Sequence, residues 1–333
     1  MYNVLIIGAG SMGLATGYHL DLAGAKVTFL IRPHHKKDLD RPQVLYSLDD
    51  NSVKQYTGYT YLTDPSEIAG KDWDFIVVTL DRIGLKSEEG VKLVKKIGEV
   101  VRDSKIKTGV LVGTVGIGIR PWFLETSGIP DDQVTNAVLG VQCYPPRIAK
   151  LPINGKQLPD ADQAYVHCYP YGFCVDDTSR SVAEAFSKLY NKCGVSKCAI
   201  KPAGQYASEL DPCFVIFAGC ELMNWPKFSE IEVNSDLWKL TVKAAKEVQG
   251  LDIHGEAGKK LASETTEKGL AGEMVEWEKS CLPLGIRDFN RYHHGGKVVK
   301  QDRIHLRECV EEGEREGKDM SGLREVLRRL GAN

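Results

Sequence analysis

Six residues near the start of the chain constrain its fold more than any others: Gly8-Ala9-Gly10-Ser11-Met12-Gly13. They follow an apolar run at 4–7 and open a stretch, 11–23, with helical spacing that stops at Gly24. A β-branched and aromatic run at 26–31 comes next. A G-x-G-x-x-G pattern set between a strand and a helix has a definite physical reading. Gly8 permits a tight turn, Gly10 lets backbone N–H groups approach a pyrophosphate, and Gly13 lets the helix lie close to the sheet. The unpaired N–H groups of the helix N-terminus then face the phosphates.

The end of the second strand selects the nucleotide. A site for NAD(H) usually carries an acidic residue there for the ribose 2′-hydroxyl. This chain has Arg32-Pro33-His34-His35-Lys36-Lys37 instead. A guanidinium with a nearby ammonium suits a 2′-phosphate, so the expected cofactor is NADP(H), bound by Arg32 and Lys36. Lys37 reads as an ordinary surface lysine.

Runs at 75–80, 110–115 and 134–141 have the length of buried strands, with a helix at 87–101 between the first two. Segments 44–48 and 55–61 flank Asp49-Asp50-Asn51 and read as an inserted hairpin; a second hairpin-like region spans 165–175. A helix at 177–193 and a strand at 195–200 follow. Beyond Ala203 only helical spacing is found, at 205–224, 236–249, 256–268, 272–279, 301–312 and 322–330. The expected fold is a doubly wound parallel α/β sheet of Rossmann type, residues 1–201, and an all-α domain, residues 202–333.

Composition narrows the function. With 43 basic and 45 acidic residues among 333, the net charge is −2. That offers no concentrated basic surface for nucleic acid. No apolar run approaches the ~18 residues of a membrane span. The nine cysteines form no C-x-x-C pair, so no metal site is expected and the thiols read as reduced, structural and cytoplasmic. The expected partner is a small-molecule substrate, with neither nucleic acid nor membrane; a homodimer is allowed.

The stretch Ile7 to Gly13, continued by Leu20-Asp21-Leu22-Ala23-Gly24-Ala25-Lys26-Val27 and closed by Arg32, resembles the ketopantoate reductase family. Asp74-Phe75-Ile76-Val77-Val78-Thr79-Leu80 is similar to the strand that follows in those enzymes. The resemblance implies NADPH-dependent reduction of 2-keto acids, with substrate bound in a cleft between the domains. It also implies that Leu80, Asp81, Val115 and Gly116 line the cofactor site. The chain departs from the family at telling places. Asp81 stands where a lysine is usual, and Val115-Gly116 where Asn-Gly is usual. The segment 208–217, Ser-Glu-Leu-Asp-Pro-Cys-Phe-Val-Ile-Phe, lacks the catalytic lysine. For the family's substrate-anchoring glutamate, only Asp288 can stand in.

Reduction of C=O or C=N requires a proton donor. The densest group of candidates is Asp288-Phe289-Asn290-Arg291-Tyr292-His293-His294-Gly295-Gly296-Lys297. His293 and His294 are the expected donors. Asp211 and Asp288 are further catalytic candidates, and Tyr144, Asn290 and Lys297 are candidate substrate contacts. The leading reading is an NADPH-dependent reductase of a small carbonyl or imine with a rebuilt catalytic set. The alternatives are ketopantoate reduction itself and a non-catalytic protein that senses NADP(H).

Overall fold

Short apolar runs alternating with amphipathic segments build the first of two compact units, Met1–Lys201; the second is Pro202–Asn333. The computed structural model describes residues 1–151, 153, 158–168 and 171–331. In the first unit the strands are β1 Asn3–Ile7, β2 Lys26–Leu30, β3 Gln43–Ser47, β4 Ser52–Tyr56, β5 Tyr59–Leu62 and β6 Phe75–Val78. They continue with β7 Gly109–Val112, β8 Val134–Leu139, β9 Val141–Tyr144, β10 Gln163–His167, β11 Phe173–Asp176 and β12 Cys198–Lys201. The helices are α1 Ser11–Leu22, α2 Lys36–Leu39, α3 Arg82–Lys86, α4 Glu88–Asp103, α5 Ile119–Ser127, α6 Pro146–Ala149 and α7 Arg180–Tyr190.

The main sheet runs β12-β11-β8-β7-β6-β1-β2-β5. All its neighbours are parallel except β8 and β11. β6 and β7 are buried throughout, as parallel strands covered on both faces must be. Along β1, Val4 and Ile6 enter one core while Leu5 and Ile7 enter the other. That is the period-two alternation of a pleated strand. The order turns back between β1 and β6, which makes a switch point at their carboxyl ends.

A second sheet, β4-β3-β10-β9, packs beside α1. The hairpin expected around Asp49-Asp50-Asn51 is β3–β4, but the strand read at 55–61 divides. Its first part completes β4, and its second becomes β5, which joins β2 in the main sheet. The hairpin expected over 165–175 is not formed. β10 pairs with β3 and β9, while β11 pairs with β8 and β12 in the other sheet.

The second unit has no strand among its described residues. Its helices are α8 Ala203–Leu222, α9 Asp236–Gln249, α10 Gly255–Glu264, α11 Glu267–Ser280, α12 Ile286–Tyr292, α13 Val299–Arg315 and α14 Ser321–Arg329, with a π-helical turn at His293–Lys297. The helix expected at 256–268 ends early, because Thr266 caps α11 through a bond from the Gly269 N–H at 3.1 Å. No helix among the described residues is long and apolar enough to cross a membrane.

Candidate functional site

The glycine turn has the geometry that its spacing requires. Gly8 has φ +99°, which a side chain disfavours, and its N–H bonds the Leu30 carbonyl at 2.9 Å. A Cβ on Gly10 would meet nothing within 4 Å, so that side of the turn is open. A Cβ on Gly13 would collide with the Gly8 carbonyl, so the close seat of α1 on β1 requires glycine. Gly10 caps α1 without a side-chain bond, and the first turn carries no acid. The N–H groups from Ser11 onward thus begin a helix whose N-terminus is unscreened, as a pyrophosphate needs.

The carboxyl ends of β1, β6 and β7 bring the other expected cofactor residues to this edge. Thr79 donates its hydroxyl to the Ile7 carbonyl at 2.8 Å, and Thr114 donates to the Leu80 carbonyl at 2.7 Å. A Cβ on Gly113 would lie 2.6 Å from Cε of Met12, so Met12 covers the end of β7. Gly116 has φ +143° and lies against the guanidinium of the buried Arg82. Asp81 acts locally as the cap of α3, accepting the Gly84 N–H at 2.7 Å. Arg32 ends the extension of β2, is exposed, and makes no ion pair among the described residues. Lys36 is likewise exposed. The residues present fit a phosphorylated dinucleotide.

Tyr144 lies on β9, paired with Ala164, and is 1% exposed, so it forms part of the core of the smaller sheet.

In the second unit, Asp211 sits inside α8 at 6% exposure. One carboxylate oxygen meets Nε2 of His254 at 3.0 Å and the other Nε2 of His305 at 3.4 Å. Burial alone would raise this carboxyl, but the two histidines outweigh it and hold it at about 2. Burial lowers His305, while Cys309 and Asp211 hold it well above the ordinary value. His254 is fully buried and donates from Nδ1 to the Gln249 carbonyl at 3.2 Å.

The π turn carries His293 and His294, stacked on Phe289 and Phe217 respectively. Burial drives both imidazoles down, His294 to about 3. Nδ1 of His294 lies 2.8 Å from Oδ2 of Asp302. Gly295 lies against the Trp225 ring, and Trp225 itself has φ +55°. π turns and such strained backbone are both concentrated at functional sites. Asn290 is 2% exposed with Oδ1 unpartnered. Asp288 instead pairs with Arg287 at 2.9 Å on the surface, and Lys297 is exposed. His254, Asp302, His305 and Cys309 escape a reading of local sequence. A signal exists, however: Asp302, His305, Leu306, Cys309, Val310 and Gly313 form one buried stripe of α13.

An open α/β sheet with a glycine turn at its switch point is a class of architecture in which dinucleotides bind. Residues 4–106 match the family model described as ketopantoate reductase PanE/ApbA. No curated protein matches the sequence. Among solved structures, 2-dehydropantoate 2-reductase of Geobacter metallireducens GS-15 is similar at 17% identity and TM-score 0.66, covering 99% of each chain. The probable 2-dehydropantoate 2-reductase panE of Bacillus subtilis is similar at 14% identity and TM-score 0.64, covering 99% of this chain and 100% of that one. A ternary structure of D-mandelate dehydrogenase with NADH and anilino(oxo)acetate is similar at 12% identity and TM-score 0.66, covering 99% and 97%. Residues 4–106 thus resemble that family in sequence, and the chain shares the fold of these solved structures.

Proposed function

We propose that this chain is an NADPH-dependent reductase of a small carbonyl compound, a 2-keto acid or ketone, or of an imine. The observation that carries the reading is the unscreened glycine turn of α1 beside an exposed, unpaired Arg32, with no carboxylate ending β2. When bound, NADPH supplies a hydride to the carbonyl carbon. The chain's own residues hold the nucleotide and supply the proton, and His294 is the proposed donor. The binding of an anilino(oxo)acetate by a protein of like fold supports a 2-oxo acid class. A cytoplasmic setting and a homodimer belong to the same proposal, and no disulfide joins the nine cysteines.

Calorimetry with NADPH and NADH tests the cofactor. The Arg32→Ala variant should lose about 10- to 100-fold in NADPH affinity, the worth of one or two charge-assisted hydrogen bonds, and keep its NADH affinity. Equal wild-type affinity for both nucleotides would overturn the assignment. NADPH consumption over 2-keto acids, including ketopantoate, and over ketones and cyclic imines tests the reaction. One observation favours a second reading, an NADP(H) sensor: Asp81 is engaged as a helix cap and α8 contains no lysine. Tight NADPH binding without oxidation across the panel would select that reading.

A further inference from the structure

A carboxylate on the buried stripe of a helix is costly unless both oxygens are paired. Asp302 breaks that rule. Its side chain is 5% exposed, Oδ2 bonds only Nδ1 of His294, and Oδ1 has no partner. The cations nearby are committed elsewhere: Arg303 to Glu221, and His305 to Asp211. An ionised Asp302 would leave a bare anionic oxygen in the interior. A neutral acid would place its hydroxyl on Oδ2 and donate it to the imidazole, leaving a far cheaper carbonyl.

The groups facing this pair are His293 on the π turn, itself under the charge of Lys297, Arg303 and His305 on α13, and, through His305, Asp211 on α8. Burial pushes Asp302 up to about 7 against the pull of His305 and Arg303, and pushes His294 down to about 3. Below about pH 7 the pair therefore shares one proton, and the carboxyl has it. An imidazole that accepts at Nδ1 carries its own proton on Nε2. Nε2 of His294 makes no hydrogen bond among the described residues, and the Phe217 stack, 3.8 Å between centroids, fixes the ring plane.

We propose that Asp302 is the proton store of the reaction and that His294 is the carrier through which it acts. The inference rests on the reductase reading. As the carbonyl carbon gains hydride and NADPH becomes NADP⁺, the C=O π electrons move to oxygen, which takes the proton from Nε2. The Nε2–H bond breaks as Nδ1 takes the proton from Oδ2 of Asp302. The imidazole stays neutral and ends in its other tautomer. Asp302 is left as a carboxylate; the starting state returns when water protonates Nε2 and the Nδ1 proton passes back to Oδ2. His294 is thus the catalytic residue and Asp302 a positioning residue behind it.

Two measurements on the full chain decide this. By nitrogen and carboxyl-carbon NMR, His294 should hold its proton on Nε2 below neutrality. It should switch to Nδ1–H as Asp302 ionises near pH 7. A His294 that charges near 6.5, with the Asp302 carboxyl titrating near 4, would overturn the proposal whatever the activity. D302N keeps a donor to Nδ1 but has no proton to release. It should lower kcat roughly 10²-fold, the scale of general acid catalysis, and abolish the fall in rate above pH 7. NADPH affinity should not change, and D302E should restore part of both. A wild-type kcat and pH profile in D302N would also overturn it. If the wild type neither binds nor oxidises NADPH, the reductase reading fails instead, and the NMR result still decides the state of the pair.

Discussion

Gly13 and Asp302 mark the two ends of what a single residue reveals. Gly13 is legible because its constraint is local: a turn six residues long leaves no room beside the Gly8 carbonyl. Gly13→Ala should force α1 away from β1, with a loss of about 1–3 kcal/mol from overpacking. NADPH binding should fall with it; thermal melts and calorimetry on the same sample check both. A Gly13→Ala chain with unchanged melting and affinity would mean that the close seat has no structural consequence. Asp302 is illegible for the opposite reason. Its partner His294 is close in sequence, but the groups that set its environment, Asp211 and His305, meet only after α8 and α13 pack. Even so, a polar residue at a helical position flanked by Leu306 and Cys309 is a signal that hydrophobic patterning alone discards.

Among elements, α1, α4 and α9 are readable because their ends are written locally. Gly24 is left-handed just past α1, Ser87 caps α4 through the Gly90 N–H, and Ser235 caps α9 through the Trp238 N–H. α5 also ends at a left-handed glycine, Gly128, but a proline inside it disturbs the helical spacing, and α12 lacks a side-chain cap and closes in a π turn. Strand pairing over 165–175 is hidden from local sequence because the partners β3, β8, β9 and β12 lie far off along the chain. The smaller sheet has a titratable anchor. Nδ1 of His19 lies 2.6 Å from the Tyr190 hydroxyl, Nε2 of His19 faces Nε2 of His167 at 3.4 Å, and Nδ1 of His167 meets Asp49 at 2.7 Å. With Asp49 kept ionised by its bonds from His167 and both imidazoles neutral, one set of protons satisfies the whole series, Tyr190 donating to His19, His19 to His167 and His167 to Asp49. Burial holds His19 at about 3, with His167 pushing the same way. A depressed imidazole stabilises the fold above its ordinary value of 6.5, and that stabilisation is lost as pH falls. Stability should therefore drop below pH 6.5, by at most about 1.4 kcal/mol per pH unit. Amides of β3 and β10 should exchange faster at pH 5 than at pH 7.5 after correction for intrinsic rates. Tyr190→Phe should cost about 1–2 kcal/mol at neutral pH. Equal protection at both pH values would count against the anchor.

For the molecule as a whole, acid and base nearly cancel, at a net charge of −2. An anionic nucleotide thus gains little from the net charge; beyond the N-terminus of α1, its attraction rests on the cluster around Arg32 and Lys36. Both side chains stand in water. Mobile ions therefore compete directly for that attraction, and the screening length shrinks from about 10 Å at 0.1 M salt to about 3 Å at 1 M. Affinity for NADPH should decline along a potassium chloride series while affinity for NADH, gripped by backbone N–H groups, hardly moves. In Arg32→Ala the two titrations should run together. The preference between the two nucleotides is accordingly a property of the medium as well as of the chain, sharp in dilute buffer and blunted in brine.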